Sequence, residues 1–320
     1  MTARMKLQHG ALWSGACLSL SRSALEPSDM RAVNTIIGLA LLAAGTSGAL
    51  RAMELQHSTL AAWNDYIREA DAAMRTRLDG GRPFSWIDEA PDRREMLRHG
   101  EVMVAPVVGH GTKAIPNGLI HDWIGAAFIP GATLEGLFAV VHDYDRYKEI
   151  YKPVVADSRM LACTATDQRF SMIWRRKILF INAAVEGRYE ARDFVEGRRG
   201  YNIAGTTEVR EIQAYRQSGE RLLPPDQGNG FLWRIHSIAR YEERDGGVYL
   251  ELEAIALTRD IPTSLRWMVN PVVNRLSIDS LTTTLRQTRD AVASLPATPG
   301  RIASCAGERV AAAPKTGGED

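Results

Sequence analysis

The chain has 320 residues, with 39 Lys and Arg against 38 Asp and Glu, a net charge of +1. So even a balance offers no basic face and excludes a nucleic-acid binder, while 45% apolar and 24% charged residues are the composition of a globular chain with a sizeable core. The 3 cysteines, Cys17, Cys163 and Cys305, form no Cys-x-x-Cys pair and no His/Cys cluster with metal-ligand spacing. Neither a disulfide framework nor a metal site is predicted, and Cys163 is read as a small apolar residue in a strand-like run.

The stretch "MRAVNTIIGLALLAAGTSGALRA", Met30 to Ala52, carries a positive charge, an apolar run from Ile36 to Ala44, and small residues placed for cleavage after Ala49. This is the pattern of a secretory signal peptide, and the run is too short to span a bilayer comfortably. Residues 1–29 are then a mis-called start or a leader, 30–49 the signal, and the mature chain is exported, in a bacterium to the periplasm. The competing reading of Ile36 to Ala44 is a buried helix segment. Residues 296–320, rich in Pro, Gly and Ala, are expected to form a disordered tail.

Along the mature chain, Ser58 to Leu78 reads as a helix with Leu60, Trp63, Ile67 and Met74 near one face. It belongs to an extension, residues 50–117, too poor in regular apolar elements for its own core and expected to pack on the main domain. "GEVMVAPVV" is a strand and residues 109–118 a loop. The main domain, 118–295, opens with the strand "LIHDWIGAAFIP" and a helix capped by Thr133. Strands are predicted at 154–164, 169–177, 181–194, 201–212 and 231–243. Residues 215–230 form a long irregular loop. "VYLELEAIALTRDIPTSLRWMVNPVVNRL", Val248 to Leu276, then changes period from two to between three and four, a strand feeding a helix. Asp260 is the expected cap, Pro262 sits in the first turn, and Pro271 is expected to break the helix.

A turn at Asp245-Gly246 pairs Glu243 with Val248 and fixes the last hairpin. One face holds Tyr241/Leu250, Ala239/Leu252, Ser237/Ala254, Ile235/Ala256 and Trp233/Thr258. The other carries five charges, with Arg240 opposite Glu251, and reads as the wet side. Alternation adds Ala183, Val185, Gly187, Tyr189 and Ala191 to the charge-free face, and likewise Tyr201, Ile203, Gly205, Thr207 and Val209. That face is small in its middle and large at its ends. Either the final helix fills the space, through Leu265, Met268, Val272 and their successors, or a cavity remains. A pocket of ~300 Å³ left empty would cost on the order of 7 kcal/mol, so it would hold a ligand or water, or close.

The order strand, two short helices, a run of antiparallel strands and a C-terminal helix resembles the START-like, or SRPBCC, superfamily. "FIPGATLEGLFAVVHDYDRYKEIYKPVVADSRML", Phe128 to Leu161, looks like its opening, and "LTRDIPTSLRWMVNPVVNRLSIDSLTTTLRQT" like its closing strand and helix. The resemblance implies an α+β helix-grip fold, a curved antiparallel β-sheet wrapped on a long C-terminal helix. It fixes no activity, since carriers, cyclases, hydrolases and chaperone-linked domains share it.

No catalytic set emerges. Gly-x-Ser-x-Gly and phosphate loops are absent. His236 falls on the charged face and is read as a surface residue, and the side of His121 is unresolved. The leading expectation is a monomeric carrier of an apolar small molecule (lipid, isoprenoid or quinone-like), with no cofactor and with transient membrane contact. Its ligand-binding set is Ala183, Gly187, Tyr189, Tyr201, Gly205, Thr207, Trp233, Ser237, Tyr241, Leu252, Ala254, Ala256, Leu265, Met268 and Val272. The alternatives are a polyketide cyclase or dehydratase-like enzyme using the same cavity, and an interaction domain with a filled core.

Overall fold

The structure, a computed structural model, describes residues 53–178 and 181–295. The readings of residues 1–29, 30–49 and 296–320 lie outside the described residues. The described chain enters through β1 (Met53–Glu54), α1 (His57–Leu78), a 3-10 turn (Trp86–Glu89) and α2 (Pro91–Arg98). Then come β2 (Val102–Pro106), β3 (Thr112–Ile115), β4 (Gly118–Pro130), α3 (Leu134–Val141), a turn at Tyr144–Arg146 and α4 (Tyr147–Ile150). The long strands follow: β5 (Val155–Cys163), β6 (Asp167–Ile178), β7 (Ile181–Glu196) and β8 (Arg199–Gln213). After the two-residue β9 (Arg221–Leu222) and β10 (Gln227–Gly228) come β11 (Arg234–Arg244), β12 (Gly247–Arg259) and α5 (Thr263–Ala293).

One ten-stranded sheet runs in the order β2-β4-β12-β11-β8-β7-β6-β5, with β3 added to β4 and β9 to β8. Its pairings are antiparallel. The last hairpin has the predicted register, Glu243 opposite Val248 and Tyr241 opposite Leu250. Asp245 and Gly246 both take positive φ, 54° and 76°, as a two-residue turn matched to strand twist requires. The Thr133 hydroxyl accepts from Gly136 N and caps α3, whose Leu134, Leu137 and Val140 are buried.

α5 seats its second half on the sheet. Leu281, Leu285 and Val292 pack with Trp123, Ala127, Tyr241 and Leu250, which makes this the inner face. A Cβ at Gly125 would lie 2.7 Å from Leu285 Cδ1, so the glycine is the notch in which the helix rests.

The structure departs from the sequence reading in several places. Residues 109–118 contain β3. The long helix starts at Thr263 behind Pro262 and runs through Pro271 without a break. A proline removes one helical bond, which a long helix can sustain when its anchoring contacts lie elsewhere. The 215–230 segment is pinned: Asp226 takes two hydrogen bonds from Arg234, Asn229 N donates to Glu211, and Gln227–Gly228 pairs with β1. Cys163 is disulfide-bonded, contrary to its reading as a small apolar residue.

The largest correction concerns the face expected to be wet. The segment from α1 to α2 covers it. Trp63 packs with Ile120, Ile255 and Leu257, while Trp86, Ile87 and Leu97 pack with Ile124, Phe128 and Tyr249. Arg240 and Glu251 are each 1% exposed and meet at 2.8 Å. Trp86 N and Ile87 N donate to the Glu251 carboxylate at 3.0 and 2.9 Å. His236, read as a surface residue, is buried and stands 3.1 Å from Asp71. Charges tolerate a dry face when each meets an opposite charge and backbone donors fill the remaining lone pairs.

Candidate functional site: the inner face of the sheet

Burial along the hairpin runs opposite to expectation. On β11 the outward-facing Arg234, His236, Ile238 and Arg240 are buried, while the inward-facing Ile235, Ser237 and Ala239 are half-exposed. On β12 the outward-facing Ile255 and Leu257 are buried, while Leu252, Ala254, Ala256 and Thr258 on the inner side are again half-exposed. These are small side chains in the middle strands of a large sheet, under a 31-residue helix. A helix filling the interior would leave them dry. Instead α5 rests against β2, β4, β12, α3 and α4. The inner face over β11 and β8 therefore keeps accessible space.

The register sorts the predicted site residues. Ser237, Ala239, Leu252, Ala254 and Ala256 line the middle of this space. Tyr241, Gly187 and Tyr189 face it as buried residues, and Ala183 is half-buried beyond them opposite Arg176. Val272 is half-buried on α5. Leu265 and Met268 fall in the first turns of α5, but their side chains lie outside the described residues.

Tyr201, Gly205 and Thr207 are not on this face. Tyr201 pairs with Arg240 and Gly205 with His236, so both point outward, and Tyr201 stacks on Phe194 at 4.5 Å. The cause is a bulge. Tyr189 pairs with Thr206 but Arg188 with Glu208, leaving Thr207 as the extra residue. Val209 faces inward as predicted, and everything before the bulge is inverted. The inward set is Asn202, Ala204 and Thr206. Trp233 also leaves the inner face: the ladder begins at Arg234, and the indole packs outward with Trp63, Ile120 and Leu257.

Aromatic rings close one end. Tyr144 stacks on Phe170 at 3.9 Å and Phe170 on Tyr189 at 4.9 Å, while Trp174 Nε1 donates to the Tyr189 hydroxyl at 2.6 Å. Beside them sits a buried carboxylate that sequence reasoning missed. Asp193 Oδ1 accepts from the Tyr241 hydroxyl and from Asn202 Nδ2, both at 2.9 Å. Its Oδ2 accepts from Gln168 Nε2 at 2.9 Å, and His142 Nε2 stands 3.1 Å away. Burial pushes this carboxyl up, but the bonds from His142, Asn202 and Tyr241 outweigh it and hold it below its ordinary value. The residue ties the end of α3 to the sheet. Extending the 183–191 alternation by two positions would have found it.

His121 is resolved: it faces inward opposite Ala256, with Nε2 2.9 Å from Thr258 Oγ1. Burial pushes its imidazole down to about 4, so it is neutral at pH 7. Among the described residues no group of three or more His, Cys, Asp or Glu side chains is placed to hold a metal, and no helix is long and apolar enough to cross a membrane. Two open clefts lie away from the inner face. One of about 630 Å³ is lined by Ile87, Pro91, Arg94 and Arg98, and one of about 340 Å³ by Met53, Gln56, Asn117 and Trp233.

No family model matches the chain, and no curated protein matches it significantly. Among solved structures it is similar to a STAR-related lipid transfer protein fragment from Xanthomonas axonopodis, at 17% identity over 60% of this chain and 98% of that one, with a TM-score of 0.39. It is also similar to human STARD10, at 11% identity over 59% of this chain and 76% of that one, with a TM-score of 0.37. The Zhui aromatase/cyclase from Streptomyces sp. R1128 gives 14% identity over 54% of this chain and 96% of that one, with a TM-score of 0.33. The chain's own element order, its large antiparallel sheet and the C-terminal helix clasped on that sheet's inner face give it the helix-grip fold.

Proposed function

We propose that the protein binds and carries an apolar small molecule, of lipid, isoprenoid or quinone character, in the space between α5 and the inner face. The observation that supports this most is the partial exposure of Ser237, Ala239, Ala254 and Ala256 in the centre of the sheet while Arg240, Glu251, Ile255 and Leu257 behind them are buried. Its apolar lining matches the usual chemistry of a ligand pocket. The cyclase-like alternative needs a base with a free lone pair at the space. Asp193, the buried carboxylate beside it, already faces four polar groups, and His121, whose Nδ1 is unused, is a weak base with its imidazole pushed down to about 4, which together count against that reading. Native mass spectrometry of gently purified protein tests the proposal: a co-purifying apolar ligand is expected, and a ligand-free chain that also refuses an apolar fluorescent probe would sink it.

The same reading places the protein outside the cytoplasm, carried by the signal-like segment 30–49 and in keeping with a disulfide at Cys163. Met30 to Ala62 fused to a reporter active only after export should give signal and processing near Ala49. A silent, unprocessed fusion would overturn it.

A further inference from the structure

Three buried polar atoms gather around one short segment, residues 110–112, where α5 passes the inner face. His121 Nδ1, Trp123 Nε1 and Asn274 Oδ1 are each buried with no hydrogen-bond partner among the described residues. His121 is 5% exposed and Trp123 6%. The register places Thr112 opposite His121. A Cβ on Gly111 would lie 2.6 Å from Trp123 Nε1, so the indole lies directly on that glycine. Asn274, on α5, donates its Nδ2 to the His110 carbonyl at 2.9 Å and leaves its oxygen unused. His121 uses Nε2 on Thr258 and leaves Nδ1 unused. Across the ladder, His121 and Trp123 face Ala256 and Ala254, two of the half-exposed alanines of the inner space.

The three atoms have complementary demands. An indole N–H only donates, an amide oxygen only accepts, and an imidazole nitrogen does either according to its tautomer. Folded proteins seldom leave even one such group unanswered, and three in one corner call for a shared partner. An alkyl group satisfies none of them. A carboxylate accepts from the indole but gives nothing to the amide oxygen. A hydroxyl donates once and accepts twice, and so answers all three when His121 carries its proton on Nδ1 and its Nε2 accepts from the Thr258 hydroxyl.

We infer that this corner anchors the hydroxyl end of the carried molecule, and that the ligand class is therefore an apolar alcohol. The inference rests on the carrier reading and narrows it. It also orients the ligand: the hydroxyl sits at β4 and Asn274, and the apolar body runs over β12, β11 and β8 toward Tyr189.

The test uses the full chain and fluorescent alkyl probes identical except at the terminus, one ending in hydroxyl and one in methyl. Wild-type protein is expected to bind the hydroxyl probe at least about tenfold more tightly. Trp123→Phe and Asn274→Leu should each lose most of that preference while binding the methyl probe within about twofold of wild type. His121→Phe serves as a third variant should one of these fail to fold. Equal affinity for both probes in wild type would mean that the corner holds water alone, and would overturn the anchor while leaving the carrier standing. A preference that survives in every folded variant would also overturn it. If neither probe binds, the carrier reading fails and the anchor with it.

Discussion

The two faces of the β11–β12 hairpin make an instructive contrast. The outer face carries Arg234, His236, Arg240, Glu251 and Glu253, yet its middle is dry. The inner face carries Ile235, Ser237, Ala239, Ala254 and Ala256, yet solvent reaches it. Charge pattern thus reports which partners a face was built to meet rather than whether it meets water. Outside, the partners are opposite charges and the backbone of the N-terminal segment, which close Arg240 and Glu251 off from water. Inside, Ser237, Ala239, Ala254 and Ala256 are small and stay partly exposed. A dry charged surface and an accessible apolar one are both costly in isolation, and each is explained by what lies against it.

The contrast breaks most forcefully at Glu251. Glu251→Leu strands the Arg240 guanidinium in a dry site and orphans Trp86 N and Ile87 N, so a loss of about 3–5 kcal/mol is expected in denaturant unfolding. A loss below about 1 kcal/mol would show that the outer face admits water after all.

A second probe uses neighbours on opposite faces. Asp122 points outward and accepts from the Tyr66 hydroxyl at 2.6 Å. Burial first, and the Glu253 carboxylate second, push it up to about 7. Its folded value exceeds its unfolded one, so its contribution is fully present below about pH 4 and is lost as pH rises to 7. His121 points inward with its value pushed down to about 4. Its contribution is fully present above about pH 6.5 and is lost as pH falls to 4. The two slopes oppose each other in wild type. Asp122→Asn should unmask a stability that falls on acidification from pH 6.5 to 4. His121→Phe should unmask one that rises from pH 7 to 4, each by on the order of 2–4 kcal/mol. Flat profiles in both variants would contradict this account of the two faces.

The gentlest test fills the inner space. Ala254→Trp should abolish binding of an apolar fluorescent probe while changing stability by less than about 1 kcal/mol, because the bulk enters free volume. In a filled interior the same change would overpack, costing about 1–3 kcal/mol. Melting and probe titration on the same sample separate the two.

Legibility followed locality. The last hairpin could be read because a two-residue turn fixes every pair beyond it, and α3 because Thr133 and its apolar stripe lie within one helix. What failed depended on distant partners. Nothing near Arg240 announces that Trp86 and Ile87 will bring two amides to Glu251. Trp233 has strand character, yet the ladder stops one residue after it. In β8, alternation carried backward from Val209 passed through the bulge at Thr207 and assigned Tyr201 and Gly205 to the wrong side. A one-residue slip inverts a whole strand segment, and the Thr-Thr pair gives no sign of it. The small residues of the inner face were legible, and Asp193 lay two positions beyond the alternation that found them; the corner at residues 110–112 appears only once the strands are assembled.

Gly125 has a mechanical consequence. With Leu281 and Leu285 resting in its notch, α5 is a beam supported near its far end. From Leu281 back to Thr263 the arm is about 27 Å long at the usual helical rise, tied to β12 at its start by residues 260–262. A rock of about 10° at the notch would swing the leading end by about 5 Å on that rise, roughly the width of an alkyl chain. Small leucine adjustments against a single glycine are thus geared up into an aperture at the opposite end, with Asn274 on the moving arm and its hydrogen bond to His110 as the catch that holds the arm down.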